Sequence, residues 1–191
     1  MKKIDTPWTR AALVAAAAVA FSAAAQAALV NGSFETGDLS GWTAAGDASF
    51  IGVADGIGRA DSHAAFFGPD PLGGISQTLQ TAAGGLYQVE FWLALDDSAT
   101  PSSFSWAWNG VQQGVVTNAA AFDFTRFTAT VTATGGSSQL SFDFANPQSF
   151  FRIDDITVSA VPEPSAAMMA LAGMLLLAAA RRGGRQRPPA G

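Results

Sequence analysis

The sequence predicts an all-β fold, a two-sheet jelly-roll sandwich, with an N-terminal signal peptide before it and a C-terminal transmembrane-like helix after it. Short runs of alternating apolar and polar residues recur through the middle of the chain, and clusters of Gly, Pro, Asn, Asp and Ser separate them. No sustained helical period occurs outside the two ends. About eight or nine strands at this spacing are typical of an antiparallel sandwich.

The first 27 residues have the parts of a secretory signal peptide. Lys2, Lys3 and Arg10 precede a long Ala-rich apolar run, and Ala25-Gln26-Ala27 forms a small-x-small cleavage pattern. We therefore expect export, with cleavage after Ala27.

Residues 28–160 form one predicted domain with an acidic balance. The whole chain has 15 acidic and 10 basic residues, and the two terminal segments contain two of the acids and seven of the bases. The domain keeps 13 acidic and 3 basic residues, a formal net charge of about −10, and no lysine. Such a surface repels nucleic acid and anionic lipid and favours divalent cations and neutral ligands. Because the chain has no cysteine, its core or a bound metal must replace the disulfides common in exported domains.

Nine strands are predicted within this domain. The clearest covers 86–96, where Val89, Phe91, Leu93 and Leu95 alternate with more polar positions. Asn109-Gly110 lies between two strand-like runs and predicts a tight hairpin. The other predicted strands are 48–53, 64–68, 75–81, 103–109, 112–118, 124–134, 139–145 and 151–161.

The C-terminal tail, residues 161–187, combines a Pro-Glu-Pro motif with an apolar segment and a basic end. Pro162-Glu163-Pro164 disfavours helix and keeps the segment extended. An apolar helix over 165–180 would be shorter than the hydrocarbon core, which is about 30 Å thick. Arg181 and Arg182 begin an Arg cluster that would hold this end on the cytoplasmic side. The alternative is a buried C-terminal core helix.

The tail resembles the PEP-CTERM sorting signal of Gram-negative bacteria, in which the same three parts occur in the same order. The resemblance implies recognition by an exosortase, transient insertion in the inner membrane, and cleavage near the motif. It further implies release or transfer to the cell surface or the extracellular matrix.

The domain itself resembles carbohydrate-binding modules of the family four and nine type, which have a galactose-binding-like jelly roll. The resemblance lies in the opening LVNGSFETGDLSGW, residues 29–42, and in the close FRIDDITV, residues 151–158. It implies a structural calcium ion held by the side chain of Glu35, the carbonyl of Ser33 and Asp154, with another backbone oxygen from 60–63. Calcium accepts such mixed oxygen shells. The alternative is that these carboxylates are ordinary turn residues.

Trp92 is the main candidate for ligand contact, because it lies with Glu90 and Asp96 opposite the aliphatic face of its strand. An aromatic ring on a polar face suits stacking on a sugar ring, while the carboxylates accept hydrogen bonds from its hydroxyls. The alternative is that Trp92 caps a second layer of the sandwich. Trp42 and Phe150, near predicted loops, are weaker candidates. The aromatic residues of 103–108 share one face and are predicted to be core.

Catalysis is not expected. His63 is the only histidine in the chain, which excludes a His-rich zinc site. A Ser-His-Asp arrangement would form only if a Ser and an Asp converged on this one residue. Neighbouring acids such as Asp96-Asp97 point to opposite faces of a strand, although carboxylates on separate strands could still meet. The sequence thus predicts an exported, non-catalytic, carbohydrate-binding-like module associated with exopolysaccharide. A secreted glycan hydrolase and a structural surface protein without a small ligand are the alternatives.

Overall fold

The computed structural model describes residues 28–59 and 63–161 and two short helical pieces, 173–175 and 177–178. The predicted signal peptide, the Pro162-Glu163-Pro164 motif and the arginines Arg181 and Arg182 lie outside the described residues. Only parts of the predicted apolar helix are described, and none of the helical segments seen there has the length and apolarity to cross a membrane.

Ten strands account for most of the described domain, and every pairing between them is antiparallel. They are β1 (Thr43–Gly46), β2 (Ile51–Asp55), β3 (His63–Phe67), β4 (Gly73–Gln80), β5 (Leu86–Leu95), β6 (Ser103–Trp108), β7 (Val111–Thr117), β8 (Phe122–Thr132), β9 (Ser137–Ala145) and β10 (Phe151–Ala160).

The strands form two five-stranded sheets. The first sheet has the order β1-β4-β9-β6-β7 and the second sheet has the order β2-β3-β10-β5-β8. Strands that follow one another in sequence mostly lie in different sheets, as in a jelly roll. The predicted all-β sandwich of two antiparallel sheets is confirmed.

The nine predicted strands are all present, and their bounds differ by a few residues. The Asn109-Gly110 hairpin is also confirmed: Trp108 pairs with Val111, which leaves a two-residue turn with φ of 52° and 75°. Positive φ at both positions is what this tight turn requires. The sequence missed only β1, whose four residues, TAAG, are all exposed and therefore show no alternation.

The core lies between the sheets and is rich in aromatic rings. Val89, Phe91, Leu93 and Leu95 of β5 are at most 1% exposed, as their alternation predicted. The aromatic side chains of β6 are buried too, and Phe91 lies 5.1–5.7 Å from four neighbouring rings of the core cluster. Ring pairs at such distances contribute beyond their buried area, so this core stabilises a domain without disulfides.

Candidate functional site

The outer face of the second sheet carries all three basic residues of the domain, each in an ion pair. Arg126 of β8 donates to Glu90 of β5 at 2.6 Å, and Arg152 of β10 donates to Asp96 at 2.6 Å. Arg59, in the loop after β2, pairs with Asp155. The first two pairs follow from register, because β5 lies between β8 and β10 and places its outward side chains beside theirs.

Trp92 lies at the centre of this face, half-buried, opposite Arg126 on one neighbouring strand and Asp154 on the other. The guanidinium of Arg59 lies 4.3 Å from the centroid of its ring, within the range of a cation–π contact. Arg59 Nε also donates to Asp155 Oδ2 at 2.7 Å. The indole is thus already in contact with the Arg59 guanidinium, which the ion pair with Asp155 holds in place.

A cleft of about 790 Å³ opens at one end of this face, at the end where β5 finishes and β8 and β10 begin. Its volume is in the range of small-molecule sites. We call it the cleft. Apolar and aromatic side chains line it together with two carboxylates and one guanidinium: Ala54, Ile57, Phe66, Leu95, Asp96, Ala121, Phe122, Asp123, Phe150 and Arg152.

A β-bulge and a glycine shape the cleft. Leu93 and Leu95 pair with Thr125 and Phe122, so β8 has one extra residue there. A bulge of this kind changes which side chains face outward, and Phe122 and Asp123, consecutive in sequence, both line the cleft. Gly68 leaves room for Phe150, since a Cβ at that position would lie 2.7 Å from the ring.

Arg152 is held firmly at the base of the cleft. Its Nε donates to Asp96, its Nη1 donates to the carbonyl of Ile57 at 3.2 Å, and its guanidinium lies 5.2 Å from the Phe124 ring. Asp123 differs, because it is exposed and its carboxylate makes no ion pair with any described residue. The cleft therefore has one neutralised carboxylate and one free of a cation.

The four predicted ligand residues fall in different surroundings. Asp96 lines the cleft, Glu90 lies farther along β5, and Trp92 is between them. Trp42 is in the core, 8% exposed, with its Nε1 donating to the carbonyl of Asn31 at 3.0 Å and its ring 6.0 Å from Phe34. An indole with so little exposed surface has no face for a ligand.

Several cleft residues were not foreseen. Phe66 appeared only as part of a strand, and Phe122, Asp123 and Arg152 were not considered as ligand residues. Phe150, a weaker candidate, does line the cleft. Alternation places Arg152 opposite Phe151 and Ile153 on its strand, and that signal could have selected it. Phe66 shares its strand face with Ala64 and gave no such signal.

Two of the three predicted calcium ligands meet at one segment. The Oε1 atom of Glu35 accepts from the backbone N–H of His63 at 2.8 Å, and Oδ2 of Asp154 accepts from the backbone N–H of Arg59 at 2.9 Å. These carboxylates thus hold the two ends of 59–63. Asp154 is fully buried and also accepts from the Asp155 N–H at 2.7 Å.

Ser33 lies nearby, at the point where the N-terminal segment meets a bulge in β10. The backbone N–H of Ile156 donates to the carbonyl of Gly32 at 2.9 Å. Ser33 and Asp155 both line a second cavity of about 550 Å³ there. Across 28–59 and 63–161, no group of three or more His, Asp or Glu side chains is arranged to hold a metal ion, and Asp61 lies outside those ranges.

The outer face of the first sheet has a different composition. Asp143 of β9 is the only charged residue in the five strands of that sheet. Its cross-strand neighbours are Gly74 and Ser105. Burial raises the pKa of the Asp143 carboxyl above its usual value of 3.8.

Comparison with known proteins adds information on the fold. No protein-family model matches the chain, and a search of curated proteins found no match. Among solved structures, a family 61 carbohydrate-binding module in complex with β-1,4-galactotriose is similar, with a TM-score of 0.56, 19% identity, and coverage of 71% of this chain and 99% of the module.

Two further structures have the same fold. A family 4 carbohydrate-binding module has a TM-score of 0.51 and 20% identity, covering 70% of this chain and 100% of the module. The adhesin domain K3 of Lys-gingipain from Porphyromonas gingivalis has a TM-score of 0.53 and 12% identity, covering 71% of this chain and 98% of that domain. The domain thus has a fold like that of carbohydrate-binding modules.

Proposed function

We propose that the domain is a non-catalytic carbohydrate-binding module and that the cleft on the second sheet is its ligand site. The observation that carries the proposal is the lining of the cleft, where phenylalanine rings stand beside carboxylates and a guanidinium. A sugar ring presents C–H groups that pack on aromatic faces and hydroxyls that bond to charged side chains. Sites of this size, mainly apolar with a few polar groups, are typical of small-ligand recognition.

A longer glycan would extend from the cleft along β5. Asp96 and Trp92 are four residues apart, about 13 Å along a strand, which is more than one sugar unit. Trp92 and Glu90 would then contact the next units, and Arg59 would have to leave the Trp92 ring or contact the sugar itself. The fold shared with a module solved with a galactose trisaccharide supports a saccharide ligand.

Retention of the full chain, purified in mild detergent, on immobilised polysaccharides tests the proposal. We expect Phe150→Ala to weaken retention on the order of tenfold, as for the loss of one aromatic contact. Val115→Ala is the matched control, because Val115 is an exposed apolar side chain, 56% accessible, on the first sheet. Equal retention of both variants and the unchanged chain would contradict the cleft as the site. No retention on any glycan would favour a structural surface protein.

One observation favours a glycan hydrolase as the second candidate. Asp96, directly after β5, and Asp123 of β8 line the same cleft, and glycosidases use a pair of carboxylates across the scissile bond. Release of reducing ends from a bound polysaccharide, lost in Asp123→Asn, would support hydrolysis. Binding without release supports the module.

We also propose that the protein is exported and sorted through its C-terminal tail. The order of Pro162-Glu163-Pro164, apolar segment and Arg cluster supports an exosortase as partner and transient insertion in the inner membrane. The mature protein would then act at the cell surface or in the matrix, associated with exopolysaccharide. Changing the three motif residues to alanine should leave the protein exported but retained uncleaved in the membrane. Equal release of both forms into the medium would contradict this.

A structural calcium ion is the last part of the proposal. Glu35, Ser33 and Asp154 would hold it and thereby connect the N-terminal segment to β10. Glu35 and Asp154 accept hydrogen bonds from the backbone N–H groups at the two ends of 59–63, which brings two carboxylates to one segment. This supports the site, because Ca²⁺ prefers carboxylate oxygens. The ion would be structural, and no role in ligand chemistry follows from it.

A further inference from the structure

We infer that the cleft selects its glycan by charge and that Asp123 makes it prefer an amino sugar, whose ammonium group is cationic, over neutral and uronic-acid units. The inference rests on the proposed function and adds the class of ligand. It begins with the three charged groups of the cleft, Asp96, Asp123 and Arg152, which together carry a net negative charge at neutral pH.

The charge of Arg152 is already balanced by the carboxylate of Asp96. Its Nε is bonded to Asp96, its Nη1 to a backbone carbonyl, and its guanidinium lies over Phe124. A sugar carboxylate would have to share this one cation with the carboxylate of Asp96, which lies 2.6 Å from Nε, and the like charges would repel each other. No other basic residue lines the cleft among the residues described there.

Asp123 is the carboxylate of the cleft that remains available to a cationic ligand. It is exposed at the mouth of the cleft and has no ion pair within the described chain. Phe122 precedes it and lines the same cleft, so one sugar ring can pack on the aromatic side chain while its substituent reaches the carboxylate. An ammonium group donates three hydrogen bonds and supplies the opposite charge, whereas an N-acetyl group donates one and is neutral.

The electrostatic potential of the whole domain also favours cationic over anionic sugars. Its formal net charge is about −10, from 13 acidic and 3 basic residues, and all three bases are already paired with acids. A surface of this sign raises the local concentration of cations and lowers that of anions. Polyuronates are therefore repelled before contact, and partly de-N-acetylated glycans are attracted.

The experiment compares binding of the full chain, in mild detergent, to four oligosaccharide series of equal length. They are glucosamine oligomers, N-acetylglucosamine oligomers, neutral glucose oligomers and galacturonate oligomers, at a pH that keeps the amine protonated. We expect the glucosamine series to bind most tightly and the galacturonate series least. Raising the salt concentration should reduce the difference, because exposed charges are screened.

Asp123→Asn should reduce the preference for glucosamine over N-acetylglucosamine by about two- to fivefold, the range for one exposed ion pair. Asp97→Asn is the matched control: Asp97 is a nearby exposed carboxylate that does not line the cleft, and its removal changes the net charge equally. If both variants lose preference equally, the effect belongs to the overall field and Asp123 is not the selecting group.

The outcomes separate this inference from the proposed function. Binding of neutral oligomers that Phe150→Ala weakens, with no preference for the amine, would overturn the charge selection and leave the module intact. Tighter binding of galacturonate would likewise overturn the selection. Absence of binding in all four series would overturn both.

Discussion

The two outer faces of the sandwich differ sharply in charge, although both belong to five-stranded antiparallel sheets. The strands of the first sheet contain one charged residue, Asp143, whereas those of the second contain seven: Asp55, Glu90, Asp123, Arg126, Arg152, Asp154 and Asp155. Gly74, Ser76, Ser105 and Ser141 give the middle of the first face short, uncharged side chains. The second face has rings, ion pairs and a cleft.

This difference bears on the location of the proposed ligand site. The inner faces must be apolar for the sheets to pack, so only the outer faces are available for other chemistry. A face with one carboxylate among serines offers few groups that fix a ligand, while a face with paired charges beside aromatic rings offers many. The proposed ligand site therefore belongs to the second sheet, whose outer face has these groups.

The largest expected effect concerns the proposed calcium ion beside β10, the central strand of the second sheet. The full chain should unfold at a higher temperature with Ca²⁺ than with chelator. The free energy of unfolding should rise by about 2.7 kcal/mol when the ion is a hundredfold above its dissociation constant. Glu35→Gln or Asp154→Asn should abolish the difference, and Asp55→Asn, an exposed carboxylate of β2, should keep it. Mg²⁺ should substitute poorly.

Hydrogen exchange makes the calcium prediction specific to one sheet. Chelation should lower protection in β3 and β10, which flank the segment held by Glu35 and Asp154, and should leave β4 and β9 of the first sheet unchanged. A melting temperature indifferent to chelator would leave these two carboxylates as ordinary turn residues.

The next effect concerns packing on the first sheet. Gly74→Ala should lower the free energy of unfolding by about 1–3 kcal/mol, as overpacking does. A Cβ at Gly74 would lie 2.2 Å from the Phe142 carbonyl oxygen and 2.9 Å from Asp143 Oδ1. Gly136→Ala is the control, since a Cβ there would meet nothing within 4 Å. Urea denaturation measures both, and equal stability would mean that the first face is less closely packed than described.

A smaller effect concerns the Arg59–Trp92 contact on the second sheet. Arg59→Ala should lower stability by about 0.5–1 kcal/mol and should make Trp92 more accessible to acrylamide in fluorescence quenching. Arg59→Lys retains the charge, and its stability and its Trp92 quenching should be intermediate between those of the unchanged chain and Arg59→Ala.

If Trp92 binds sugar, Arg59→Ala should strengthen binding of long oligosaccharides and leave binding of short ones unchanged, while Trp92→Ala should weaken binding of the long ones only. Unfolding of Trp92→Ala would show instead that its role is structural.

The sequence predicted the sheets far better than the site, for a physical reason. Burial of alternate residues is a local rule, so strands such as 86–95 and the Asn109-Gly110 turn could be located from their own residues. The cleft depends on which strands become neighbours: Asp96, Phe122 and Phe150 meet only because β5, β8 and β10 are adjacent in the second sheet. Pairing between distant strands is not encoded in any one segment.

Trp42 and β1 illustrate the same limit at a smaller scale. Trp42 follows a turn-rich stretch and gave no sign of its burial against Phe34 and Phe142. Strand β1 has small exposed residues and is recognisable only through its pairing with β4. In both cases the deciding contacts come from residues elsewhere in the chain.

The smallest expected effect concerns the single carboxylate of the first face. Burial raises the pKa of Asp143 in the folded state, so the folded state binds this proton more tightly than the unfolded state does. Its ionisation therefore lowers stability as the pH rises from 3.8 through the folded pKa. Asp143→Asn should then raise the free energy of unfolding at pH 7 by up to about 0.5 kcal/mol, and the gain should vanish below pH 3.8.

Asp38, in the N-terminal segment, provides a control of opposite sign. Hydrogen bonds from the hydroxyl and backbone N–H of Ser40, and then from Thr36, lower the pKa of its carboxyl. The stability it contributes is present above pH 3.8 and is lost as the pH falls through the folded pKa. Asp38→Asn should therefore destabilise at pH 7 where Asp143→Asn stabilises. Thermal unfolding of both variants from pH 3 to 7 tests this, and a gain from Asp143→Asn that persists in acid would mean that its carboxylate is not desolvated. The first face would then be as open to water as the second, and the contrast between them would rest on charge alone.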